Sequence, residues 1–549
     1  MRGIVGLVLG LGVTCCAVVF GTACKKENGA YCCTAASCST IVMCPQGGDR
    51  PFCDETGQYG DQVAHSCIAD PNQPDAAPMC SPTESCPNGP TPACVDGTCV
   101  ECAASTDCHE DAPVCGAGNT CLGCAAATDC EGRFPETPHC GASGACVACR
   151  VSEPTDCDQA STAPVCDAAS ATCRGCQADG ECATGLCDEA AGKCVPEANI
   201  IHVATGALGG AGCGIAANPC RTISEGVDAV SGPDRTWVKV DAGTYRESVT
   251  VVDKTVEIVA AANTDVQPLL NGVACVVVSG ASDVTLENLR LHDAGGGGAG
   301  GNADGVRCVL GTGVDGPKLT VRNAVIEKNG SQGLDLGSCD ATVEGTILSE
   351  NVGGGIHATN GKLTVRRSQI VGNDEGGVML AGADFSLVNN FIVDNGNLGG
   401  VYGGVWVSMN PASGTSGARF EFNTVSANHS SNTFSRGVRC DVATVLAFRN
   451  NIVYRNDQDT LHPETVGQVS GANCKWTFSD IGPGTINVSG EGNVNLDPTF
   501  VDPANGDYHL GASSLVKNAG TPSDVSVDFD GDARPQGGGV DMGADEIAP

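Results

Sequence analysis

The sequence predicts an all-β protein: a right-handed parallel β-helix preceded by a disulfide-rich, irregular region of cysteine repeats. Three observations carry this expectation. An eleven-residue phrase recurs at a 22-residue spacing in the C-terminal half, its apolar positions alternate with period two, and 26 of the 36 cysteines fall between Cys32 and Cys194. A composition with 76 Gly and 4% aromatic residues suits stacked turns better than one bulky core.

The phrase reads LTVRNAVIEKN over residues 319–329, ATVEGTILSEN over 341–351, LTVRRSQIVGN over 363–373 and FSLVNNFIVDN over 385–395. Two further copies begin at Ala418 and Leu446, after gaps of 33 and 28 residues, and an earlier one at Val284 lacks the closing Asn. A sustained period of this length with short β-like runs marks a solenoid. Phrase positions one and three (Leu319 and Val321, Leu363 and Val365, Phe385 and Leu387) are apolar and face inward. Position four runs Arg322, Glu344, Arg366, Val388, Glu421, Arg449, so stacking makes opposite charges neighbours. The closing column, Asn329, Asn351, Asn373, Asn395, Asn428 and Asn456, is expected to form a structural ladder, since Asn tolerates turn dihedrals and bonds neighbouring backbone. A second strand per turn is announced by Gly and an apolar residue, as at Gly333-Leu334 and Gly355-Ile356, and residues 237–261 supply earlier strands. About ten coils at roughly 4.8 Å give a rod on the order of 50 Å. The wide gap after Asn395 and the Gly run 295–301 predict protruding loops.

The N-terminal region reads as a stalk. Units of four cysteines begin at Cys80, Cys102, Cys124, Cys149 and Cys176, and adjacent units meet in C-x-x-C. Twenty-odd residues cannot bury a core, so crosslinks replace it. Zinc-ribbon spacing is the rival, but export and scarce histidine favour disulfides, with the pairing left open. Cys213 and Cys220 are expected to pair. Cys275, Cys308, Cys339, Cys440 and Cys474 are odd in number, so one is expected to be free or buried.

Residues 1–23 have the features of a signal peptide: Arg2, an apolar run from Ile4 to Phe20, and small residues before Cys24. This arrangement resembles the bacterial lipobox, which implies a lipid on Cys24 and an outer-membrane or cell-surface lipoprotein. Gly21 replaces the usual Leu, so plain secretion is the alternative. The expected segments are 1–23 signal peptide, 24–79 N-terminal segment, 80–198 stalk, 199–520 β-helix and 521–549 C-terminal cap. Net charge of −35, shared by both halves, argues against nucleic acid. A monomer that touches a membrane only through its lipid is expected.

Gly243-Thr-Tyr-Arg-Glu-Ser-Val249 resembles the G-x-Y-x-E-x-V entry of right-handed β-helix proteins, pectin methylesterases among them. Gln458-Asp-Thr-Leu461 duplicates a pectin methylesterase phrase, but that family's second aspartate phrase and its late Gly-Arg-Pro-Trp are absent, so no such esterase is expected. Residues 493–520, with Asp528–Pro535 and Val540–Glu546, resemble the ending of choice-of-anchor Q proteins, bacterial surface proteins with a pectate-lyase-like solenoid. The resemblance implies export and anchoring and no established reaction.

For function, one stripe on the second strand is expected to face outward: Arg307, Asp335, His357, Met379, Trp406 and Arg439. Asp335, His357, Trp406 and Arg439 are candidates for carbohydrate contact, Trp406 by stacking on a sugar. Paired carboxylates at fixed neighbouring positions are lacking, so a non-enzymatic adhesin or carbohydrate binder is expected over a lyase, hydrolase or esterase. No cofactor is expected; Asp528, Asp530 and Asp532 around Gly531 are a weak calcium candidate within a structural cap.

Overall fold

The computed structural model describes residues 93–96, 98–158, 161–295, 301–311, 316–396, 400, 402–430, 436–456, 468–484 and 488–548, together with two paired backbone strands, Phe52–Asp54 and Ser66–Ile68. Cys24 and the export segment, the 458–461 phrase and residues 296–300 of the glycine run lie outside the described residues. The chain forms two compact units, residues 1–177 with 189–193, and 178–188 with 194–549.

In the first unit the cysteine repeats that begin at Cys102, Cys124 and Cys149 are small knots. A 3-10 turn (Ser105–Asp107, Ala127–Asp129, Pro154–Asp156) leads to a hairpin of two-residue strands. Disulfides join first to third and second to fourth cysteine: Cys102–Cys115 with Cys108–Cys121, Cys124–Cys140 with Cys130–Cys146, and Cys149–Cys166 with Cys157–Cys173. The first two 3-10 turns are each held by their closing aspartate, which takes the two backbone amides just before the turn. Asp107 accepts from Ala103 and Ala104, and Asp129 from Ala125 and Ala126, which lowers both carboxyl pKa values. All these cysteines are in disulfides, the pairing favoured over zinc from the sequence.

The second unit is a parallel β-helix with three strand columns per coil. The first (Lys318–Arg322, Asp340–Glu344, Lys362–Arg366, Asp384–Val388, Ala418–Glu421, Leu446–Arg449, Cys474–Thr477) and the second (Val325–Glu327, Ile347–Ser349, Gln369–Val371, Phe391–Val393, Thr424–Ser426, Ile452–Tyr454, Asp480–Gly482) belong to one 19-stranded sheet. The third column is a nine-stranded sheet running from Val249–Val252 to Val469–Ser470. Pairing is in register across coils, Leu319 with Ala341, Leu363 and Phe385, and these side chains fill a continuous apolar core. The charge column falls in the same register. Glu344 pairs with Arg366 at 2.6 Å and Glu421 with Arg449 at 2.8 Å.

Between columns the chain turns on a single left-handed residue. At the second corner these are Lys328, Glu350, Gly372, Asp394, Ala427 and Arg455, with φ between 49° and 66°. The ladder asparagines follow them and do not take the turn dihedral themselves, which corrects that part of the expectation. Their side chains point inward and are buried. Asn351 Nδ2 donates to Asn373 Oδ1 (2.8 Å) and to Ile326 O (3.1 Å), and its backbone N–H reaches the same Asn373 Oδ1 (3.1 Å). The pattern repeats down the column from Asn329 to Asn456 and ends on Gln468 Oε1. The buried thiol of Cys275, free among the described residues, lies 3.6 Å from Asn329 Oδ1 and starts the column. A second ladder occupies phrase position six, Thr346–Ser368–Asn390–Asn423–Asn451–Ser479–Asn493.

Both ends are closed. At the start, the short helix Ile223–Asp228 buries Ile223 and Val227 over the first coil, and Glu247 accepts from the Ile223 and Ser224 amides. Tyr245, buried in the same motif, donates to Asp241 O at 2.9 Å, so Tyr and Glu of the G-x-Y-x-E-x-V phrase are pins of this end. Leu186 and Val195 pack with Ile200 and Val259, so part of the last cysteine repeat joins the rod instead of ending the stalk at residue 198. Cys182–Cys194 and Cys213–Cys220 are disulfides, as are Cys308–Cys339 and Cys440–Cys474. At the far end, Val488 packs on the core, and Val494 pairs with Asp480. The 521–549 segment does not cap this end. It lies along the flank, where Arg534 stacks 4.3 Å from the Phe422 ring, Ala544 N donates to Thr424, and Asn389 Nδ2 donates to Val527 O.

Candidate functional site

The expected stripe exists as a register ladder on the third column: Arg307, Asp335, His357, Met379, Trp406 and Arg439 oppose one another on successive strands. Its groups pair along the stripe and do not converge on a point. His357 Nδ1 lies 3.2 Å from Asp335, and Arg307 lies 3.9 Å from it. The Arg439 guanidinium covers the Trp406 ring at 4.6 Å, and both residues engage Asp441. The indole face expected to stack on a sugar is therefore occupied by a cation.

Concave chemistry is found on the second column instead. In its later coils the strands Phe391–Val393, Thr424–Ser426 and Ile452–Tyr454 are buried on both faces, whereas Val325–Glu327 and Gln369–Val371 alternate. The covering partner is the chain after Asp497, packed through Phe500, Tyr508, Leu510, Val516, Met542 and Ala544. Where this cover lifts from the corner, a groove of about 770 Å³ opens, lined by Asp394, His429, Tyr454, Arg455, Asp497 and Tyr508 among others. The corner places these groups. Asp394 and Arg455 hold the left-handed positions just before ladder residues Asn395 and Asn456, and His429 follows Asn428. Burying each asparagine turns its neighbours outward.

Tyr508 donates to Asp394 Oδ2 at 2.9 Å. Burial pushes the Asp394 carboxyl above the usual carboxylate range and the Tyr508 hydroxyl up as well. Burial also lowers the His429 imidazole, keeping it neutral near pH 7, while the Asp394 charge acts against that shift. Arg455 lies over the Tyr454 ring at 5.5 Å and 3.5 Å from Asp497. The groove thus offers aromatic surface, a cation and both proton donors and acceptors. Sequence reasoning missed it, although Asp394 and Arg455 share one phrase position.

The C-terminal aspartates Asp528 and Asp530 are engaged by groups of the protein itself. Both Asp528 oxygens are taken by amides, Oδ1 by Gly531 and Asp532 and Oδ2 by Glu546. Asp530 turns to His509 instead, 3.0 Å from Nε2. Nearby, Arg534 and Glu546 form an ion pair with both side chains at 0% exposure.

Residues 264–392 and 304–500 match the family model of a right-handed beta helix region. The rod is a right-handed parallel β-helix. Residues 96–200 match a family of unknown function (DUF8331), which takes in most of the cysteine repeats. Among solved structures, the chain is similar to the pectate lyase Pel9A at 16% identity, over 63% of this chain and 96% of that one, with a TM-score of 0.39. It is also similar to the GH136 lacto-N-biosidase from Eubacterium ramulus (11% identity, 51% and 64% covered, TM-score 0.36). A third is the pectin methylesterase from Aspergillus niger (11% identity, 55% and 86% covered, TM-score 0.28). Likeness at this level carries nothing about substrate or reaction. No curated protein matches the chain.

Proposed function

We propose that this is an exported surface protein, anchored by a lipid on Cys24, whose β-helix serves as a non-enzymatic carbohydrate-binding rod. The saccharide site is the flank groove rather than the third-column stripe. The observation that carries this reading is the groove lining. Arg455, Asp497 and His429 supply hydrogen-bonding groups beside the largely buried rings of Tyr454 and Tyr508, a polar groove on an aromatic floor that suits a polyol. Its volume of about 770 Å³ lies within the roughly 300–1,000 Å³ usual for small-ligand sites. Export is supported by the run of disulfides through the cysteine repeats, which an oxidising compartment favours. The rod is proposed to act as a monomer that does not engage nucleic acid.

A polysaccharide-active enzyme is the second reading, favoured by Asp394: a carboxyl with raised pKa, bonded to Tyr508 and near neutral His429, is equipped to move a proton. A polysaccharide array scored for binding and for product release separates the two. The expected outcome is retention of at least one polysaccharide, weakened by Arg455→Ala and Asp497→Asn, which alter half-exposed side chains, without products. Release of reducing ends or unsaturated sugars, lost in Asp394→Asn, establishes the enzyme instead. Equal retention by wild type and both variants removes the groove from the reading.

A further inference from the structure

We propose that His509, Asp530 and Asp545 form a site for a divalent transition metal of the zinc class, set in the C-terminal segment on the flank of the rod. One ligand atom from each residue lies within 4.8 Å of the others. The imidazole is fixed in place, its ring 5.0 Å from Phe391 and 6.0 Å from Phe529 between centroids. Nδ1 faces Asp507 Oδ1 at 2.7 Å, a carboxylate that would hold the ring proton on Nδ1 when a metal takes the Nε2 lone pair. A carboxylate behind the far nitrogen is the usual support for a metal-binding histidine.

The decisive observation is at Nε2. This nitrogen is buried and has no hydrogen-bond partner, although Asp530 Oδ2 lies only 3.0 Å away. Asp545, 6% exposed, accepts from the Leu510 amide through Oδ2 at 2.7 Å and contributes a carboxylate oxygen to the cluster. Three aspartates, Asp507, Asp530 and Asp545, therefore surround one imidazole ring, and a divalent cation offsets most of that charge.

The donor set selects the metal. One imidazole nitrogen and two carboxylate oxygens, with a fourth position for water, match zinc and its neighbours. Calcium takes six to eight oxygens and has little use for imidazole. The site therefore differs from a calcium loop at Asp528, Asp530 and Asp532 in both ligands and metal, and it does not depend on what the groove binds. Because its ligands come from separated stretches, the metal would tie residues 507–510 to 530 and 545.

The test uses the mature full-length chain stripped of metal with chelator. One equivalent of Zn²⁺ should bind by calorimetry and raise Tm, and Co²⁺ should give visible d–d absorption. Asp530→Asn should weaken Zn²⁺ binding about tenfold or more. Its side chain is about half exposed (48%), so the Tm of the metal-free protein should not move. His509→Gln should abolish the Co²⁺ bands, and Asp530→Asn decides the question if that variant fails to fold. The proposal is overturned if Zn²⁺ does not bind, if Asp530→Asn binds it like wild type, or if Ca²⁺ alone raises Tm.

Discussion

Single polar side chains inside the rod act as structural members. Asn373 accepts from the Asn351 backbone and side-chain amides and donates to Leu348 O, all in a site it shares with no solvent. Asn373→Leu removes hydrogen bonds to the Asn351 backbone and side-chain amides and to Leu348 O, so a loss of about 3–5 kcal/mol is expected in urea unfolding followed by circular dichroism. A loss below about 1 kcal/mol would mean that water replaces the side chain. Asp480 is the opposite case: it is fully buried, Oδ2 has no partner, and burial pushes its pKa to about 7. Below about pH 4 both folded and unfolded states hold this proton, and its stabilising effect is complete. Between about pH 4 and 7 only the folded state keeps it, so stability falls as pH rises and the loss is complete above about 7. Thermal unfolding from pH 4 to 8 should show this decline, and Asp480→Asn should flatten it. A residual slope is expected from Asp304, which burial raises to about 6.

Strands and turns were legible where their pattern is local. The 22-residue period and the apolar alternation placed the first and third columns in the observed register, and the closing asparagines are where the ladder runs. The second ladder was missed because position six mixes Ala324, Thr346, Ser368 and Asn390, and no one residue type marks it. The C-terminal element was misread for a different reason. It was expected to cap the open end because an exposed edge needs covering, but Asp528 spends its oxygens on amides, and the element lies along the flank, where the buried Arg534 pairs with Glu546 and stacks on the Phe422 ring. Glu546→Ala strands a buried guanidinium, so a cost of about 3–5 kcal/mol is expected. Hydrogen exchange should quicken across residues 497–548 while first-column amides stay protected. Uniform loss of protection along the rod would show that this element is no separate clasp.

For the molecule as a whole, chemistry is divided between two units with different means of stability. The cysteine repeats rely on crosslinks, because their buried residues are mostly the cystines themselves. The rod relies on one unbroken apolar column, so its coils need no such clips along most of their length. If the chain is exported as proposed, Cys24 joins it to a membrane. Metabolic labelling with an alkyne palmitate analogue should mark the wild type, and Cys24→Ser should abolish the label while leaving the protein in the soluble exported fraction. Equal labelling of both would place the lipid elsewhere, and none in either would leave a secreted protein.

The sequence by itself determined the solenoid, its inward face, its stacking register and the cystine character of its N-terminal repeats, because each is written in short, repeating spacings. Only the tertiary structure decided where the chemistry lies. Asp394, His429 and Arg455 meet Tyr508, and Phe391 meets His509, because the last fifty or so residues fold back along the second column. That cover unites residues more than 100 positions apart in one groove, a contact no local period encodes. The same folding-back brings His509, Asp530 and Asp545 within reach of one ion.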